Sequence, residues 1–272
     1  MTEGATHERV GVVTALTSLP WWILLVGSLL FMGLATLGAR AILTAFLSDG
    51  THDAARYAAP LMPALGVLFA FISGFAITAM WATQSSAEVA VSQEASVSST
   101  LAWAATAPGV DTAAIQNSLQ SYLDSVVGEE WSRMQNAQRP ASAEPLRGLE
   151  RVVRASASDT SVRPSTADEL LNSVDLLATR AGERTNAATR SIPLALFLAI
   201  LFAGIALSIN ATVLTITGSD RARLITASVT VVVAIDLAVL LILASPFQGS
   251  RQVSDSPITA VQTQLRDGYF SR

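Results

Sequence analysis

Long apolar stretches alternate with polar ones along this chain, and the alternation divides it before any single residue is weighed. No Asp, Glu, Lys or Arg occurs between Arg9 and Arg40, between Arg56 and Glu88, or between Arg190 and Asp220. Between Arg223 and Arg251 the only charge is Asp236. A helix needs about 20 mostly apolar residues to cross a hydrocarbon core, and each stretch is long enough. The pattern predicts four membrane helices: 19–47, a second beginning near Pro60 and Pro63, 192–217 and 224–247. Trp21 and Trp22 stand at one end of the first, as an interfacial aromatic pair does. Prolines are tolerated in the first turn of the second, where the missing N–H had no helical partner.

The second helix is expected to outrun the membrane. Its apolar character fades after Trp81, yet no Gly or Pro interrupts it from Phe75 to Ala107. One helix should therefore leave the bilayer and become the first helix of a polar domain, stopping at Pro108-Gly109. Asp111 is a plausible N-cap for the next helix. Ile115, Leu119, Tyr122, Leu123, Val126, Trp131 and Met134 recur at helical spacing and define one apolar face. Leu146, Leu149, Val152 and Val153 do the same for a shorter helix. Ser165-Thr166 before Asp168-Glu169 has the form of a capping box, followed by Leu170, Leu171, Val174 and Leu177. That last helix is expected to run through Arg190 into the third membrane segment, with a kink at Pro193. The fold class is all-α: four transmembrane helices as two hairpins, with a helical bundle between helices 2 and 3. The expected divisions are an N-terminal transmembrane hairpin over 1–83, a polar bundle over 84–190, a C-terminal hairpin over 191–247 and a polar tail over 248–272.

Composition agrees with this division. The chain is 51% hydrophobic and 14% charged, against about 25% charged for a soluble domain. Cysteine is absent, which excludes disulfides and thiolate metal sites. Lysine is absent too, so all 17 basic side chains are arginine. The net charge of −4 gives no sign of a nucleic-acid partner. The first apolar stretch is too long for a signal-peptide core, and its n-region lacks the usual positive charge. An even span count places both termini and the bundle on one side. Arg9, Arg180, Arg184, Arg190, Arg251 and Arg266 lie on that side, while Arg40, Arg56, Arg221 and Arg223 lie on the other. The positive-inside rule then favours a cell inner membrane location with the helical domain and both termini cytoplasmic.

Three groups of residues in this order resemble the bacterial bestrophin-like domain family: Trp81 to Glu94-Ala95; Tyr122-x-x-x-Val126-Val127-x-x-Glu130-Trp131; and Pro246-Phe247-x-Gly249 with Val253-Ser254-x-x-Pro257. The resemblance covers about residues 60–260. Ala244-Ser245 stands where the family pattern leads one to expect an acidic–basic pair. Bestrophins themselves are pentameric chloride channels with four membrane helices per subunit, the second lining the pore. The resemblance thus implies a homo-oligomer, with a pentamer as the expected form, in contact with the lipid bilayer and inorganic ions. No counterpart of the calcium-binding acidic cluster is visible.

Several residues carry candidate chemistry. Val67, Phe71, Phe75 and Thr78 share one helical stripe, either a hydrophobic pore constriction that gates by dewetting or ordinary packing. Glu88 and Glu94 follow on the same helix. In a ring of copies they would form acidic collars at the pore mouth that favour cations; otherwise they are a solvated helix face. Asp236 sits near the middle of the fourth span, where a carboxylate usually faces a partner or water. Asn210, Ser208 and Ser73 are its candidate partners. Ion or proton handling and a neutral hydrogen bond between helices are both open readings. Arg40 is expected to snorkel to the headgroups. Asp49, His52 and Asp53 in the first link are a weak metal signal, and no metal or cofactor is expected. No nucleophile–base set, P-loop or dinucleotide fingerprint occurs, so the chain does not read as an enzyme. Gly-x-x-x-Gly is absent from the spans, which gives no support for close glycine crossings. The readings left are a bestrophin-like ion channel or pore lined by the second span, and a membrane-anchored interaction or sensing protein without transport.

Overall fold

The computed structural model describes residues 19–46, 51–136, 138, 143–189, 193–216 and 220–271, without the side chains of 51–54, 220–222 and 250. All regular structure within them is helical. The elements are α1 (Trp21–Phe46), α2 (Thr51–Ala58), α3 (Leu61–Ala104), α4 (Thr112–Ser125), a π-helical turn (Val126–Glu130), α5 (Trp131–Gln135), α6 (Glu144–Ala157), α7 (Pro164–Thr189), α8 (Leu194–Thr215), α9 (Asp220–Leu243), a 3-10 turn (Gly249–Arg251) and α10 (Ser256–Arg266). Four stretches of helix are long and apolar enough to cross a membrane, in α1, in the first half of α3, in α8 and in α9. The chain is a multi-pass, all-α membrane protein.

Two compact units divide the chain. One takes the described residues of Met1–Ala82, Ser191–Ser245 and Gly249–Arg251; the other takes those of Thr83–Arg190, Pro246–Gln248 and Gln252–Arg272. In the membrane unit, α9 packs against both α1 and α8. Its core joins Met32, Phe69, Ala76, Ile200, Leu207, Val233, Ala234, Leu237 and Leu240. Hydroxyls add directional contacts: Thr36 and Thr230 meet at 3.1 Å, Thr215 and Thr226 are hydrogen-bonded, and Thr226 donates to the Ala211 carbonyl at 3.2 Å. Between membrane helices such bonds are worth about 0.6–2 kcal/mol each. A single glycine makes a close crossing without the Gly-x-x-x-Gly motif. A Cβ on Gly204 would lie 2.6 Å from Val233 Cγ1 and 3.3 Å from the Phe69 ring.

The helical unit is built as its periodicity predicts, with one refinement. Ile115, Leu119, Tyr122, Leu123, Val126, Trp131 and Met134 are all buried, though Val126 and Trp131 are five residues apart. The π turn accommodates that step, because the Trp131 N–H bonds to the Val126 carbonyl. Asp111 caps α4 by accepting from the Ala114 N–H at 3.0 Å. α3 ends at Ala104, four residues before the expected Pro108-Gly109 stop, and the chain turns at Gly109, which has φ +90° and where a Cβ would lie 2.5 Å from the Ser161 carbonyl oxygen.

Two expectations are corrected. Pro193 is the N-cap of α8 with ψ 125°, extended backbone where a kink within a helix was expected. The junction at residues 190–192 lies outside the described residues. The polar tail over 248–272 is not simply a tail, because α10 packs on the helical unit through Ile258 and Val261, and Phe270 is buried in the same core. Its few apolar residues, widely spaced, gave no strong helical signal. The first-link cluster of Asp49, His52 and Asp53 lies outside the described side chains.

Candidate functional site

The membrane half of α3 has two unlike faces. Phe69, Ser73, Ala76 and Met80 are buried. On the other side Val67, Phe71 and Phe75 are 71%, 75% and 65% exposed, and Thr78 is exposed with its hydroxyl bonded back to the Gly74 carbonyl at 2.8 Å. The four residues of the expected stripe therefore share an uncovered face of the chain. Back-bonding satisfies the Thr78 donor inside the helix, so the face presents little polarity of its own. Glu88 is exposed on the same helix.

Glu94 is not. It is fully buried in the helical unit, and the expectation that it forms a second acidic collar is corrected. Arg184 Nε donates to Glu94 Oε2 at 2.7 Å, and Arg184 Nη2 donates to Glu130 Oε2 at 2.7 Å. The Tyr122 hydroxyl donates to Glu94 Oε1, and Arg184 Nη1 lies 3.6 Å from Met134 Sδ. Arg184 itself is 1% exposed. Three helices and the π turn supply this network: α3 brings Glu94, α4 brings Tyr122, the π turn brings Glu130 and α7 brings Arg184. Burial opposes the Arg184 charge, but the Glu94 carboxylate, with Tyr122 and Glu130, outweighs it and holds the pKa above its ordinary value. Burial, helped by the neighbouring Glu94 charge, holds the Tyr122 hydroxyl protonated well above its ordinary range, against the opposing pull of Arg184. A buried ion pair adds little over well-packed apolar residues, but removing one member costs about 3–5 kcal/mol. The network is a clamp between α3 and α7, the first and last long helices of the unit, and holds no nucleophile.

The intramembrane polar residues separate into two places. Ser73 lies beside the Asp236 carboxyl, yet neither Ser73 Oγ nor Asp236 Oδ2 has a partner in full hydrogen-bond geometry within the chain. Asn210 Oδ1 and Ser208 Oγ are buried without a partner as well. They do not join Asp236. The antiparallel register of α8 and α9, set by Gly204 against Val233 and Ala211 against Thr226, puts Asn210 about 13 Å from the level of Asp236 at 1.5 Å per residue.

Sequence reasoning missed Arg184 and Glu130 as site residues, although Glu94, Tyr122, Glu130 and Trp131 were all among the motif residues. The structure brings these together. Trp131 packs edge-on against Phe247 with ring centroids 5.5 Å apart, and the Val253 N–H bonds to the Pro246 carbonyl at 2.8 Å. The signal was available in the motifs themselves, since all but the arginine of the network is written in them. In the membrane unit, Trp81 of the first motif carries the Arg251 guanidinium 4.6 Å above its ring.

A four-span helical membrane protein with a polar helical unit clamped by a buried arginine–carboxylate network is the class that fold and site define. The bestrophin-like domain matches residues 41–258, and the chain belongs to that family. Its fold is similar to that of a point variant of a bacterial bestrophin homologue from Klebsiella pneumoniae, with TM-score 0.66, 14% identity, and coverage of 89% of this chain and 99% of the other. A second variant of the homologue gives TM-score 0.63 at 14% identity, over 89% and 98% of the two chains. A crystal structure described as a membrane protein gives TM-score 0.62 at 15% identity, over 91% and 99%. Among curated proteins, none matches this sequence.

Proposed function

We propose that this protein is a homo-oligomeric ion channel of bestrophin type, with α3 lining the pore. The observation that carries the reading is the uncovered stripe on α3. A membrane helix packs Phe69, Ser73 and Ala76 into its own chain and leaves Val67, Phe71, Phe75 and Thr78 outside it. Brought around a central axis, that stripe forms a narrow apolar constriction that conducts only when wetted. Exposed Glu88 then adds a ring of carboxylates, and such a ring concentrates cations. With Glu94 buried and paired to Arg184, Glu88 is the exposed carboxylate of α3. Membership of the bestrophin-like family and the shared fold support the same reading. The pentamer, the inner membrane location and the cytoplasmic placement of the helical unit and both termini belong to this proposal.

A cryo-EM class average of detergent-purified protein tests it. The expected image is a closed ring with α3 of every copy facing the axis. A monomer, or a ring with α3 facing outward, overturns the pore reading and leaves a membrane-anchored interaction protein. Topology has its own test, made simple by the absence of native cysteine. Asp159→Cys is expected to resist an impermeant maleimide in intact cells and to react after permeabilisation; reaction in intact cells contradicts the cytoplasmic placement.

A further inference from the structure

We infer that Asp236 and Ser73 form a proton-binding site on the buried face of α3, behind the stripe of Phe71 and Phe75. Asp236 lies well inside α9, and Ser73 of α3 stands beside its carboxyl. Ser73 is 3% exposed, and its Oγ and Asp236 Oδ2 are both enclosed without a hydrogen-bond partner within the chain. The residues one turn away on the same faces, Phe69, Ala76, Val233 and Leu240, belong to the apolar core. A carboxylate ion only accepts hydrogen bonds. Ser73 can match one of its oxygens, and the other stays charged and enclosed, at a cost that such surroundings do not offset. A carboxylic acid also donates. Its O–H on Oδ2 meets the Ser73 Oγ, and one bond then satisfies both atoms. Asp236 is half-buried, so the carboxyl is reached without unfolding the core.

Charge balance points the same way. An ionisable side chain inside a span pairs with a counter-charge or faces water. Among the described residues, none of the elements packed around Asp236 brings a charged group to its level. α8 carries no charged residue. In α1 the charged residue is Arg40, at the Arg223 end of α9. The meeting of Thr36 with Thr230 sets that register and leaves Arg40 about 15 Å from the level of Asp236 at 1.5 Å per residue. Arg223 is about 20 Å away along α9 by the same rise. The turn after α9 carries Arg251, whose guanidinium sits over Trp81, about 12 Å along α3 from Ser73. Glu88, the first charged residue of α3, is about 22 Å from Ser73. The spans of a second copy repeat the same residues and add no cation at this depth. An alkali ion must exchange its hydration shell for protein oxygens, and one carboxyl with one hydroxyl supplies too few. A proton needs one. Its occupancy bears on α3 because Ser73 ties the back of that helix to α9. Release of the proton leaves a charge there, which draws water towards the helix and loosens the contact.

The test is infrared difference spectroscopy of the full chain in phosphatidylcholine vesicles, wild type against Asp236→Asn. The expected result is the C=O stretch of a carboxylic acid at neutral pH that Asp236→Asn lacks and that gives way to carboxylate bands as pH rises. Ser73→Ala keeps the acid and removes its partner, so the band should move to the higher frequency of a free carboxyl. That variant decides the matter if Asp236→Asn fails to fold. Carboxylate bands in place of the acid band at neutral pH, or an acid band that Ser73→Ala leaves unmoved, overturn the inference. An acid band seen only when sodium and potassium are withheld would mean an alkali-ion site, and overturns it too. The coupling to α3 is read as current in planar bilayers and rests on the pore reading above. Wild-type current should vary with pH, and Asp236→Asn, neutral at every pH, should lose that variation. A wild-type current indifferent to pH, or a variation that survives in Asp236→Asn, overturns the coupling. Absence of any wild-type current contradicts the pore reading instead, and the infrared result then decides the proton site by itself.

Discussion

The two halves of α3 share one helical period and invert one another. The membrane half leaves Phe71 and Phe75 uncovered and buries Ser73; the half in the helical unit buries Glu94 and exposes Glu88. In water, a helix hides apolar side chains and shows polar ones. The second half follows this rule at Val91, Val97 and Leu101 but also buries Glu94, whose two carboxylate oxygens are matched by Arg184 and Tyr122. In a membrane the outward face has no reason to be polar, so an aromatic face is compatible with lipid, with a copy of the chain, or with a dewetted pore. The comparison teaches where charge can act. The buried carboxylate is spent on holding helices together, and the exposed apolar stripe is left available for function.

The largest expected effect breaks the clamp. Arg184→Met leaves Glu94 and Glu130 buried without their counter-ion and should destabilise the helical unit by about 3–5 kcal/mol, read as a lowered thermal transition of the purified protein. Phe71→Ala should barely move the same transition, because changes at exposed positions usually stay within about 0.5 kcal/mol. Equal losses from the two would erase the distinction between the halves. A smaller effect lies in the membrane unit. Gly204→Ala pushes a methyl group against Val233 and the Phe69 ring, and overpacking of this kind costs about 1–3 kcal/mol; an unchanged unfolding midpoint would deny the close crossing.

Tyr122 sharpens the comparison through pH. Its folded pKa lies well above the ordinary tyrosine value, so its stabilising contribution is complete below about 10 and declines as pH rises from there towards the folded value. Wild type should lose stability over that alkaline window more steeply than Tyr122→Phe, as followed by denaturant midpoints. Parallel curves for the two proteins count against the buried hydroxyl. The smallest effect on folding belongs to Glu88→Gln. Its side chain is exposed, so stability should stay within about 0.5 kcal/mol, while the reversal potential across a salt gradient moves towards anions.

Much of this architecture is legible from residue pattern alone, for a physical reason. Spans announce themselves because lipid tolerates almost no charge, and the apolar face from Ile115 to Met134 announces itself because helices repeat. The Phe71 stripe is legible by the same period. Glu94 was misread, although 3.6 residues per turn already sets it nearly opposite Val67 on an ideal helix. Its partner was beyond the reach of local pattern: Arg184 lies far along the chain, and nothing near Glu94 shows a basic residue. Asn210 was matched to Asp236 by approximate depth, whereas a crossing at Gly204 fixes the register and separates them. The helix after Pro257 was missed because Ile258 and Val261 are too few to establish a period, and their burial is set by contacts with α4.

The central claim is that the uncovered α3 stripe gates a conducting pore. Current across planar bilayers tests it most directly, with wild type, Phe71→Ala and Phe75→Ala reconstituted at equal, verified density. Removing either ring widens the constriction and lowers the cost of wetting it, so both variants should carry more current than wild type at every voltage. No current above empty bilayers from any of the three, across a broad range of voltage, pH and calcium, would contradict the account.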